Sequence, residues 1–398
     1  MAAHAARLVR ARIAASMAFL LFGLALGAWT SRIPAIKERL GLSDGWLSVA
    51  LLAFAAGCIA GMALIGRLTD RFGSRRMLIA AALLEGVLLV PPAIAPSLAS
   101  LAVALFVFGV VHGTLNIAMN ANGIEVERAW RGRILSSLHA SYSLGGVLGA
   151  VAGSLFARAG ASAGTTLVSV GAVVLVLAAW ASWWALPAAP VARESSQRAP
   201  GAAGDRPYYV LLGVIVLCTL VGEGAAADWS AVYLRDDLGS TASFAPYAYA
   251  AFALAMTAGR LFGDRLATAL GPAGLVRTGA ATAAVGLGAA LLLDQPYAGV
   301  VGFGLLGAGL SGIAPQVFSA AGNHDPARAG RALSTVVSIG YLGFVLGPIL
   351  IGAAATVVKL PAALAIPVLL ALFVAIAARA LNARRAPAAS LPTEDLVA

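Results

Sequence analysis

GRILSSLHASYSLGGVLGA (residues 132–150) and GRALSTVVSIGYLGFVLGP (residues 330–348) agree at nine of nineteen positions when laid on one another at an offset of 198. The chain repeats itself. The leading Gly-Arg and the spaced glycines recur in register, which apolar composition alone does not supply. Trp29-Thr30 likewise answers Trp229-Ser230 at an offset of 200, and Asp70-Arg71 answers Asp264-Arg265 at 194. Both copies lie in apolar surroundings. Of the 398 residues, 60% are apolar and 11% charged, against about 45 to 50% and about 25% in soluble domains. A soluble fold would lack polar surface, so soluble enzymes, disordered chains and secreted disulfide scaffolds are excluded.

Apolar stretches centred near residues 23, 55, 86, 108, 146, 174, 220, 253, 284, 308, 344 and 370 are each long enough to cross a bilayer, which takes about 20 residues. The expected fold class is therefore all-α: a polytopic membrane protein with twelve transmembrane helices in two pseudo-symmetric six-helix bundles. The first stretch follows Arg7, Arg10 and Arg12 but has no A-x-A cleavage site after it, so it reads as an uncleaved span. With the N-terminus inside, the inward loops and tails hold 21 of the 27 Lys and Arg and the outward loops 6. The positive-inside rule then places both termini in the cytoplasm. The polar, Pro/Gly-rich stretch 188–207 reads as a cytoplasmic linker between bundles at 1–187 and 208–398.

A net charge of +10 is accounted for by those inward loops, and a nucleic-acid partner is rejected. Cys58 and Cys218 sit inside apolar runs and read as packing residues. No two of the four histidines stand at a metal-ligand spacing, and no catalytic nucleophile or phosphate-binding loop is present in the sequence. Neither metal, cofactor nor enzymatic activity is expected.

The loop after the second span reads GRLTDRFGSRR (66–76). It closely resembles the G-x-L-x-D-R-x-G-R-R signature between the second and third helices of major facilitator transporters, with Gly66, Leu68, Asp70, Arg71 and Gly73 in register and Ser74 where the first basic residue usually falls. The segments NIAMNANGIEVERAWRGRILSSLHASYSLGGVLGA and EGAAADWSAVYLRDDLG further resemble a bacterial inner-membrane branch related to fucose permeases. The resemblance implies a major facilitator fold and solute transport, in the bacterial inner membrane, without naming the solute. In this setting Gly66, Asp70, Arg71, Gly73 and Arg133 are expected to form a conformational latch, Asp70 meeting the start of the eleventh helix or Arg133. The alternative is that these charges only set topology.

Polar residues inside membrane helices are costly and usually face the bundle interior. His112, Asn116 and Asn120 follow an i, i+4, i+8 spacing on one face of the fourth span, and Ser136, His139, Tyr142 and Ser143 lie in the fifth. These residues can hydrogen-bond a hydroxylated solute, with Trp29 and Trp229 offering apolar faces to a sugar ring. They can equally join helices four and five to each other.

Glu223 and Asp228 lie in the seventh span, and each can take up a proton or pair with Arg32 near the outer end of the first. Arg32 with Asp228 would make an outer gate; Asp228 solvated at the outer surface is the alternative. Glu85 in the third span ranks below Glu223 as a proton carrier, because third helices of this superfamily are peripheral. Gly145, Gly149 and Gly153 allow tight packing of the fifth helix.

The expected function is proton-coupled, alternating-access transport of a small polar or hydroxylated solute by a monomer in the lipid bilayer. Proton-coupled efflux of an amphipathic compound and a non-transporting receptor of the same fold are the alternatives. Gly149-Ala150 stands where the drug/proton antiporter branch usually carries Gly-Pro, which weakens the efflux reading.

Overall fold

The computed structural model describes residues 2–72, 74–130, 134–184, 206–324 and 329–382, and among these the chain is helical with no strand. In the first half α1 is Ala2–Leu40, α2 Asp44–Phe72, α3 Arg75–Ile94, α4 Leu98–Trp130, α5 Leu135–Arg158 and α6 Ala163–Ser182. In the second, α7 is Arg206–Val232, extended by a wide turn over Tyr233–Asp237. A continuous helical stretch Tyr247–Leu293 is broken at Gly271, whose φ of +71° lies in the left-handed region open to glycine, and Pro272 then starts a new helix. The break gives α8 (247–270) and α9 (272–293). The last three are α10, Pro296–His324, α11, Ala329–Val358, and α12, Leu360–Leu381. Eleven segments are long and apolar enough to cross a membrane; α8, the twelfth helix, carries Arg260 inside its apolar run. The expected linker 188–207 falls outside the described residues up to position 205.

Lipid tails are as apolar as leucine, so membrane helices associate through close packing and not through exclusion from water. Small residues decide where they meet. In the first half α1 packs on α5 and α2 on α4; in the second α7 packs on α11 and α8 on α10. A Cβ on Gly109 of α4 would lie 2.2 Å from the Phe54 carbonyl oxygen of α2, and one on Gly307 of α10 would lie 2.2 Å from that of Phe252 on α8. Both partners are displaced by the same 198 residues that relate the repeated sequence stretches. The internal repeat is therefore a repeat of helix contacts, and the fold is two pseudo-symmetric six-helix bundles. The expected packing of α5 is present as well: Cβ atoms on Gly145 and Gly149 would lie 2.1 and 2.4 Å from the carbonyl oxygens of Leu20 and Leu24 on α1.

The two bundles meet along α2 with α11, α5 with α8 and α1 with α7. At the end expected to face outward, where the α1–α2 and α7–α8 turns lie, they are tied together. Lys37 of α1 reaches Asp44 of α2 at 2.7 Å and Asp236 of α7 at 2.5 Å, and Arg235 of α7 stands 3.5 Å from Glu38 of α1. The Ser154 hydroxyl of α5 donates to the Ser243 carbonyl at 2.5 Å. The outer end is closed. Of the expected latch, Gly73 and Arg133 lie outside the described residues, and so do the side-chain surroundings of Gly66, Asp70 and Arg71 on the last turns of α2.

Candidate functional site

Between the bundles lies a cavity of about 120 Å³, walled by residues of α1, α2, α4, α5, α7 and α11. Its faces are aromatic and aliphatic: Phe22, Leu51, Phe54, Ile59, Met62 and Phe344. Its polar edges are His112, Asn116, Tyr142, Asp228 and Tyr341. Such a chamber, with flat apolar walls and a few separated hydrogen-bonding groups, is what orients a small organic molecule. Four of the side chains singled out in the sequence, His112, Asn116, Tyr142 and Asp228, meet here from three helices.

Others do not. Trp29 and Trp229, expected from the sequence to present their faces to solute, are 1% and 0% exposed and belong to the packed core. Their size fills the interior at equivalent places in α1 and α7, and neither lines the cavity. Asn120 lies one turn beyond Asn116 and is turned back on its own helix, its amide donating to the Asn116 carbonyl at 2.8 Å and to Asn116 Oδ1 at 3.3 Å. His139 packs edge-on against Phe19 of α1, ring centres 5.1 Å apart, and that contact takes it off the cavity wall. Neither of these two joins α4 to α5: Asn120 bonds within α4 and His139 packs on α1.

The pair of Arg32 with Asp228 is not formed. Arg32 is buried and donates from Nη2 to the Ala161 carbonyl at 2.7 Å, while Asp228 lines the cavity with no hydrogen bond or ion pair among the described residues. The ion pairs that close the outer end use Lys37, Asp44, Asp236, Arg235 and Glu38 instead. Nor is Asp228 at the outer surface.

Glu223 stands beside a cation that the loop count places in the inward-facing connection between α8 and α9. Arg260 sits within α8, its Nη2 3.8 Å from Glu223 Oε1 and its Nη1 donating to the Ser143 hydroxyl of α5 at 3.4 Å. Only 22% of the Arg260 side chain and 18% of that of Glu223 are exposed. A charge inside an apolar run signals an intramembrane partner, and Arg260 is legible on that ground. Glu85 ranks low from sequence because α3 is peripheral, yet it is fully buried and lies 2.6 Å from Nδ1 of the cavity residue His112. Among the described residues no group of three or more His, Cys, Asp or Glu could hold a metal ion.

The profile of the Major Facilitator Superfamily matches residues 13–221 and again 211–396. An uncharacterised MFS-type transporter of Yersinia pestis is 32% identical over 378 residues, covering 93% of this chain and 96% of that protein. Among solved structures, a D-xylose-proton symporter superposes with a TM-score of 0.76 at 16% identity, covering 93% of this chain and 97% of that one. The nucleoside transporter NupG superposes with a TM-score of 0.70 at 13% identity, covering 95% and 99%. At such identities the superpositions speak for the fold alone. With two profile matches across both bundles, a relative of nearly equal length and a cavity on the axis between the halves, the chain belongs to the major facilitator superfamily and is a multi-pass membrane transporter of that type.

Proposed function

We propose that this transporter moves a small polar, hydroxylated solute, of the sugar or polyol class, through the cavity between its bundles, driven by protons moving down their gradient. The observation that carries the reading is the cavity itself. Phe22, Phe54 and Phe344 offer faces against which a ring can lie, and His112, Asn116, Tyr142 and Asp228 offer hydrogen bonds at its edges. The sequence resemblance to fucose permeases and the fold shared with a D-xylose-proton symporter point the same way. Glu223, an acid on a helix between the bundles with Arg260 as counter-ion, is the proton carrier of this reading. The protein acts as a monomer in the bacterial inner membrane, with both termini cytoplasmic and the linker 188–207 joining bundles 1–187 and 208–398. Closure of the outer end by Lys37 alternates with closure of the inner end by the latch at Gly66, Asp70, Arg71, Gly73 and Arg133.

Purified protein in liposomes, given D-xylose, L-fucose, mannitol, uridine or an amphipathic drug, tests this. A sugar or polyol should drive a pH change across the membrane and be accumulated by an imposed proton gradient. A pH change with the drug alone would establish the efflux alternative, and binding without flux the receptor alternative; both would overturn the proposal.

A further inference from the structure

Glu85 is 0% exposed and His112 6% exposed. Glu85 Oε1 lies 2.6 Å from His112 Nδ1, and Glu85 Oε2 is buried without a hydrogen-bond partner. The imidazole lies flat against Phe22 of α1, ring centres 3.8 Å apart at an interplanar angle of 14°, and it lines the cavity. Its other nitrogen, Nε2, makes no hydrogen bond among the described residues. Around the pair, α2 contributes Cys58, α5 Tyr142, α7 Asp228 and α11 Tyr341 as the titratable groups on the same cavity; α6, which packs on α3, has no titratable side chain. Among the described residues no lysine or arginine shares the pocket.

The fold does not require a charge here. Displaced by 198 residues, the positions of Glu85 and His112 are Ala283 and Leu310, both buried. In the second bundle α9 and α10 pack at this place through small and apolar groups, a Cβ on Gly309 meeting that of Ala283. One bundle therefore keeps a buried acid and imidazole where its twin does without them. Burying an ionisable pair seldom adds stability over an apolar pair, so the reason for keeping it lies in what it does.

We propose that Glu85 and His112 form a proton-binding dyad, separate from Glu223 and Arg260, that exchanges one proton with the cavity through His112 Nε2. With the proton bound, the imidazolium donates from Nδ1 to the Glu85 carboxylate; the pair is neutral overall and the ring lies on the negative face of Phe22. When the proton leaves Nε2 for cavity water, Nδ1 keeps its hydrogen and the carboxylate its charge. One negative charge then remains in an apolar core with Oε2 unsatisfied, a state tolerable only while the cavity is open to water. Cavity closure therefore favours the proton-bound dyad. The role in coupling rests on the transport reading above; proton binding by the dyad does not.

Direct potentiometric titration of the purified protein in nanodiscs between about pH 5 and 9 tests the binding without any solute, because two groups sharing one proton titrate as a unit. Glu85→Gln, which leaves the imidazolium without its counter-ion in an apolar site, should take up about one proton fewer than the parent, and so should the double variant with His112→Gln, because both losses are the same proton. Unchanged uptake in Glu85→Gln, or a loss of about two protons in the double, would overturn the dyad. Should Glu85→Gln fail to fold, the double variant, which has neither group to charge, still decides through the same loss of about one proton. In liposomes, Glu85→Gln should keep counterflow of whichever panel solute the parent moves and lose its proton-driven accumulation. Parental accumulation would remove the dyad from coupling, whereas a parent that moves no panel solute would count against the transport reading and leave the titration standing.

Discussion

Glu223 and Arg260 face each other at 3.8 Å from α7 and α8, each with less than a quarter of its side chain exposed. Removing one partner of a fully buried pair costs about 3 to 5 kcal/mol because the other charge is left unpaired, and the residual exposure here brings the cost below that. Arg260→Ala should therefore lower the melting temperature in detergent, and adding Glu223→Gln to it should recover part of the loss. Glu223→Gln alone should spare counterflow and abolish uphill accumulation in liposomes; unchanged pH-driven accumulation would remove Glu223 from coupling. His112→Ala and Asn116→Ala should weaken solute binding more than they lower melting temperature. At this scale the sequence is informative where helical spacing decides. His112 and Asn116 are one turn apart and both reach the cavity, but the same stripe continues to Asn120, which bonds to its own helix. Spacing says which face a side chain leaves from, and the neighbouring helix decides what that face meets. Trp29 and Trp229 show the limit: an aromatic ring suits a sugar and a packed core equally well, and here the core takes both.

Helix contacts in this molecule are set by glycines, and their consequences are specific to position. A methyl group on Gly149 would meet the Leu24 carbonyl oxygen at 2.4 Å, whereas one on Gly263 of α8 would meet nothing within 4 Å. Gly149→Ala should force α1 and α5 apart at an overpacking cost of about 1 to 3 kcal/mol. Gly263→Ala should be neutral or stabilise by up to about 1 kcal/mol through helix propensity. Thermal unfolding of the two variants in the same detergent checks the contrast, and equal behaviour would mean that α1 and α5 are not held this closely. Element order, the tight α5 packing and the two-fold repeat are all readable, because small residues recur at fixed offsets. The break between α8 and α9 is readable only as a loop, which is why the loop count puts Arg260 in that connection and not in α8. The charged groups proposed to handle protons lie where the repeat is broken. Arg260 occupies the place of Met62, and the Glu85–His112 pair the place of Ala283 and Leu310, when the halves are related by 198 residues.

For the whole molecule, ion pairs close the end expected to face outward, which is one half of the alternating cycle proposed above. Lys37, 12% exposed and held by two carboxylates, is the main tie between α1 and α7. Losing it costs about 1 kcal/mol of closure, which shifts a balanced two-state equilibrium by roughly fivefold. Lys37→Ala should therefore favour outward opening. Asp70→Asn, at the other end, should favour inward opening if the latch acts as its motif implies. The most direct test places spin labels at Ser43→Cys and Ala242→Cys, exposed positions on the turns of opposite bundles at the outer end, and measures their separation by pulsed electron resonance in nanodiscs. The parent should show a short distance as its main population, and a second, longer one should grow in Lys37→Ala and when the transported solute is added. A single distance, unchanged by the substitution, by pH and by every solute of the liposome panel, would contradict alternating access in this protein.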